Sequence, residues 1–86
     1  MKLNNNFISH EDGNETFVIP SGKANFSGVI RGNKTFGSVI ELLQKNTTEA
    51  EIIEAMCKKY DAPEDVIRRD VKKVIENLRE IGAIID

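Results

Sequence analysis

The chain has 86 residues, 40% of them apolar and 30% charged, with a formal net charge of −2. A chain this short holds one core, and this balance excludes a disordered or collagen-like protein. We therefore expect one domain over residues 1–86, with an ordered core from about residue 7 to residue 85. No apolar run reaches the length of a membrane span, and the start Met1-Lys2-Leu3-Asn4 lacks the apolar stretch of a secretory signal, so a cytoplasmic protein without membrane contact is expected. Cys57 is the only cysteine and His10 the only histidine, which rules out an intrachain disulfide and a zinc site of Cys and His ligands. No metal or cofactor is expected, and no catalytic residues, because no nucleophile, base and oxyanion donor converge from these motifs. Without a surplus of Lys and Arg, strong polyphosphate binding is also disfavoured.

The first third of the sequence is strand-like. Phe7-Ile8-Ser9-His10 and Phe17-Val18-Ile19 flank the turn chemistry of Glu11-Asp12-Gly13-Asn14-Glu15, in which Gly and Asn tolerate positive φ; together they predict a hairpin. A third short strand is expected over Phe26–Arg31, with Phe26 and Ile30 on one face. Its flanking Gly28 and Gly32 suit a strand that another backbone approaches closely. From residue 34 the period becomes helical. Phe36, Val39, Ile40 and Leu43 mark a short first helix capped by Asn33 or Thr35. Thr48 and Glu51 form a capping box for a second helix that buries Ile52, Ile53, Met56 and Tyr60. The third helix is the longest, with an expected buried stripe of Ile67, Val71, Val74, Leu78 and Ile81 and a stop at Gly82. Ile30, Val39, Leu43, Ile53, Met56, Val71, Val74 and Leu78 should share one core. The fold class this predicts is α+β and winged-helix-like, a three-stranded antiparallel sheet followed by three helices.

The run from Phe26 to Leu43 resembles the strand-to-helix signature of the PqqD-like family, the recognition elements for ribosomally made, post-translationally modified peptides. Phe26, Gly28, Ile30, Asn33, Thr35, Leu42 and Leu43 fit that signature. The later helices are similar in spacing, through Tyr60-Asp61, Asp70-Val71, Leu78 and Gly82. Three positions depart: Gly32 stands where the family often has Leu, Phe36 where it has Gly, and Ile40 where it has Trp. All three are packing positions, so a rearranged first helix is expected within the same fold. The resemblance implies a non-catalytic binding protein with no cofactor. Its implied partners are the leader of a precursor peptide and a peptide-modifying enzyme such as a radical SAM enzyme or a leader peptidase. Lasso peptides, radical-SAM-modified peptides and quinone cofactors are products of such systems. The leader would add as a strand beside Gly28, Val29, Ile30 and Arg31 and lie in a cleft against the third helix.

On that helix Val66, Asp70, Lys73 and Asn77 fall along one flank, with Arg69 further round, and these five complete the expected peptide site. Val66 would otherwise only broaden the core stripe, and Asp70 would only pair with Lys73. Arg68, Arg69, Lys72 and Lys73 are expected on a solvated face, in pairs such as Glu64–Arg68, Asp65–Arg69 and Lys72–Glu76. Cys57 reads as a small core residue and His10 as a solvated strand residue. The alternative function is a winged-helix DNA-binding protein reading through Arg68, Arg69, Lys72, Lys73 and Arg79. Glu64, Asp65, Asp70, Glu76 and Glu80 would face the same phosphates and oppose it.

Overall fold

The computed structural model describes residues 1–24 and 28–86. In chain order they form β1 (Lys2–Leu3), β2 (Phe7–Asp12), β3 (Glu15–Pro20), β4 (Ile30–Gly32), α1 (Lys34–Leu42), α2 (Glu49–Lys59), α3 (Glu64–Glu80) and β5 (Ile84–Ile85). The antiparallel sheet has the order β2-β3-β4, and the three helices follow it, which is the expected winged-helix-like α+β arrangement. Among the described residues no helix is long and apolar enough to cross a membrane.

Gly13 has φ 65° and Asn14 does not take positive φ, so the hairpin closes through a two-residue turn that uses its glycine first. The third strand is shorter and later than the sequence suggests. Gly28 takes φ 126°, which interrupts the extended chain, and pairing with β3 begins only at Ile30 and includes Gly32. Phe26, expected in this strand, lies outside the described residues. Ile30 is half-buried, not fully in the core.

Gly32 and Phe36, two of the departures from the family pattern, meet each other. A Cβ built on Gly32 would collide with the Phe36 side chain, so the larger residue on the helix occupies space that a larger residue on the strand would need. We expect Gly32→Leu alone to cost about 1–3 kcal/mol through overpacking. The double variant Gly32→Leu/Phe36→Gly should be less destabilised than the two single changes summed, as read by chemical denaturation.

The first two helices start where their caps place them. The Asn33 side chain accepts the Phe36 N–H at 3.2 Å, and the Thr48 hydroxyl oxygen accepts the Glu51 N–H at 3.1 Å. Thr48→Ala should cost about 1 kcal/mol in thermal or denaturant unfolding. α3 has no side-chain cap after Pro63, and Glu64 and Asp65 bring negative charge to its first turn instead. It ends as the sequence predicts: Gly82 takes φ 76°, its N–H bonds the Arg79 carbonyl at 3.1 Å, and the Ala83 N–H bonds Leu78 at 2.8 Å.

That reversal returns the chain to form a pair that the sequence reading missed. β5 runs antiparallel to β1, and Leu3, Phe7, Ala83 and Ile84 join the core, which therefore starts before residue 7. The α3 stripe also needs correction. Ile67, Val71, Ile75 and Leu78 are buried, whereas Val74 and Ile81 are half-buried. Steps of four, four and three residues carry this stripe along α2, and Val74 turns toward the flank described next. Cys57 is half-buried against the same core.

Candidate functional site

The alternation of the hairpin decides which way the backbone of β4 faces. A two-residue turn closes on a hydrogen-bonded pair, here Asp12 and Glu15, so His10–Phe17 and Ile8–Ile19 are bonded pairs as well. The next member of that series is seen directly, since the Ser21 N–H reaches the Asn6 carbonyl at 2.8 Å. Thr16 and Val18 therefore direct their backbone groups the other way, toward their β4 partners Gly32 and Ile30. Arg31 lies between those two, and its N–H and C=O face the open edge. Its side chain stands on the outer face of the sheet, 4.0 Å from Glu15, in an exposed pair of little energetic weight.

Beside this edge, α1 and α3 enclose a groove with two adjoining cavities. The wider, about 260 Å³, is lined by Asn33, Thr35 and Phe36 on one wall and Asp70, Lys73, Val74 and Asn77 on the other. Asn33 directly follows β4, so the groove begins where the strand ends. The narrower cavity, about 110 Å³, continues toward the start of α3 and is more apolar, with Met56, Tyr60, Ala62, Val66 and Ile67 around it. Thr35 and Asp70 border both.

The structure thus brings Val66, Asp70, Lys73 and Asn77 to one groove, at positions i, i+4, i+7 and i+11 of α3. Arg69 borders neither cavity. Gly28 and Val29 are exposed ahead of β4, and Ile30 points inward beneath it. Asp70 and Lys73 form no ion pair with each other among the described residues, whose four salt bridges lie elsewhere. Of the three surface pairs expected on α3, Glu64–Arg68 is present at 2.7 Å, and Asp65–Arg69 and Lys72–Glu76 do not form.

The opposite wall was not legible as a site. Phe36 and Tyr60 read as core residues because their spacing is that of buried helix positions, yet both are half-buried and border the groove. Tyr60 is fixed by its hydroxyl, 2.7 Å from the Ser38 hydroxyl, which also accepts a hydrogen bond from Lys59 Nζ at 2.9 Å. This buried Ser38 ties α1 to the end of α2 and leaves the Tyr60 ring as groove lining. The DNA alternative loses two of its five cations to local pairing. Arg68 is held by Glu64, and both guanidinium nitrogens of Arg79 bond Asp86, at 2.9 and 3.1 Å. The hydrogen bond from Arg79 holds the Asp86 carboxyl below its ordinary range.

Comparison with known proteins follows the geometry. No curated protein matches the chain in sequence. The solved structure of TbiB1 in complex with the TbiA(beta) leader peptide is similar over the whole of both chains, with a TM-score of 0.77 and 18% identity; at that identity the likeness concerns the fold. The family model described as Coenzyme PQQ synthesis protein D (PqqD) matches residues 15–84, from the second strand of the hairpin to the last strand. Spanning most of the chain, that match establishes that this protein belongs to the PqqD family.

Proposed function

We propose that this protein, acting as one non-catalytic domain in the cytoplasm, holds the leader of a ribosomally made precursor peptide and offers it to a modifying enzyme. The observation that carries this reading is the coincidence of an open backbone at Arg31 with a two-part groove on the same side of the molecule. Strand addition supplies affinity through main-chain hydrogen bonds, and pockets for alternate side chains supply selectivity. Successive inward side chains of an added strand lie about 6.7 Å apart, close to the separation of neighbouring turns of α3. One leader side chain, apolar, enters the cavity at Val66; the next, polar or charged, meets Asp70, Lys73 and Asn77. TbiB1, with the same fold, is solved with a leader peptide bound, which supports the assignment. The enzyme that receives the leader is a peptide-modifying enzyme such as a radical SAM enzyme or a leader peptidase.

The test is a titration against the precursor encoded beside this protein. Val66→Asp combined with Asp70→Ala should weaken binding by about tenfold or more with little change in thermal stability, because Asp70 is exposed and Val66 is only half-buried. Full leader affinity in that folded variant would remove the groove from the site. Duplex DNA at physiological salt should show only weak nonspecific binding, since the cations of α3 are interleaved with acids. Sequence-selective submicromolar binding would favour a nucleic-acid role instead.

A further inference from the structure

Ser38 lies on the buried side of α1, only 5% exposed, where an apolar residue is ordinary and alanine would suit the helix better. Its hydroxyl is engaged from two sides, by the Tyr60 hydroxyl at 2.7 Å and by Lys59 Nζ at 2.9 Å. The Tyr60 hydroxyl in turn lies 3.4 Å from the Lys34 carbonyl. An ammonium only donates and a carbonyl only accepts, so all three contacts are made together in one direction alone: Lys59 to Ser38, Ser38 to Tyr60, Tyr60 to Lys34. The positive charge at its head strengthens such a chain.

Tyr60 needs an anchor of this kind. It caps the end of α2 with an extended backbone, φ −117° and ψ 140°, so the helix no longer sets where its side chain points. Its ring is half-buried and lines the narrow cavity of the groove beside Val66, Ile67 and Asp70. Ser38 and Lys59 line neither cavity of the groove. With Lys34 they border a separate cavity of about 130 Å³ that reaches the hairpin turn at Gly13 and Asn14. The hydrogen bonds therefore link a polar surface outside the groove to a ring inside it.

We infer that Ser38 and Lys59 are positioning residues for the leader, a role that rests on the reading of the groove as the leader site. Without touching the peptide, they hold the Tyr60 ring as the wall against which the side chain beside Val66 is gripped. Released from Ser38, the ring gains rotational freedom, and ordering it again on binding costs affinity.

The experiment uses the whole protein, isotope-labelled, and the unlabelled leader of the precursor encoded beside it. Tyr60 is the only tyrosine, so its ring gives a single set of tyrosine signals. In the free protein Ser38→Ala and Lys59→Met should both shift those signals, and Lys59→Arg, which keeps a charged donor, should shift them least. In titrations Ser38→Ala should weaken the leader by about threefold to tenfold, as expected for loss of one hydrogen bond. Lys59→Met, at an exposed position, should weaken it by about twofold to threefold, and Lys59→Arg by less. A general loss of stability would weaken every leader alike. Positioning predicts instead that the Ser38→Ala effect disappears for a leader whose side chain at the Val66 cavity has been changed to alanine. If Ser38→Ala does not fold, Tyr60→Phe, which removes the hydroxyl and keeps the ring, carries the same expectations. Unmoved Tyr60 signals, unchanged leader affinity in the folded variants, or equal weakening of the natural and alanine leaders would each overturn the positioning role. Those results would leave the groove as the leader site as long as Val66→Asp with Asp70→Ala still weakens binding. Full affinity in that double variant would remove the groove itself, and the positioning role with it.

Discussion

Proline at Arg31 is expected to cut leader affinity by at least about tenfold while the domain stays folded. Arg31 sits on the edge strand with its N–H directed outward, so the substitution removes a donor that no group among the described residues uses. One backbone hydrogen bond contributes about 0.5–1.5 kcal/mol net, and the proline ring also stands in the path of an incoming strand. The preceding Ile30 is already extended, as a residue before proline prefers to be. Ile30→Pro is the matched control. Its N–H faces Val18, so that change should lower thermal stability and fray β4 from the sheet. Val29→Pro, just ahead of the strand, should weaken binding less than Arg31→Pro. The pair of variants, each followed by titration and thermal unfolding, separates loss of the edge from loss of the fold.

Leu78→Ala should cost about 2–5 kcal/mol in equilibrium denaturation. Leu78 is fully buried at the end of the α3 stripe, and its carbonyl anchors the reversal that brings β5 back to β1. The helix that carries it packs against both α2 and β5, so the cavity left would lie inside the core. Val74→Ala, at the half-buried neighbour bordering the groove, should cost distinctly less. A loss below about half a kcal/mol at Leu78 would mean that α3 presents a different face to the core.

Much of this architecture is written in local signals. Asn33, Thr48 and Gly82 are found at the caps and stop where their chemistry places them, because a cap depends on only a few neighbouring residues. The flank of α3 was legible for a similar reason: Val66, Asp70, Lys73 and Asn77 lie at helical spacing, and a helix keeps its faces once its phase is known. Ile75 was missed and Val74 overvalued because both lie near the edge of the apolar stripe, where the tilt against α2 decides burial. The β1–β5 pair was illegible. Two-residue strands carry no periodicity, and their pairing joins the ends of the chain. The second wall of the groove was hidden in the same way, since Phe36 and Tyr60 acquire their place from contacts between helices. Arg31 shows what lies between these cases. Its strand was visible in the sequence, but the direction of its N–H follows only from the observed register.

Amide exchange at Arg31 in the complex tests strand addition most directly. In the free protein this N–H should exchange as an open-edge amide, while Ile30 and Gly32, directed at β3, should already be protected. Saturation with the leader should slow Arg31 strongly and leave Ile30 and Gly32 nearly as they were. A leader that saturates the protein while Arg31 keeps its free exchange rate would contradict strand addition on β4.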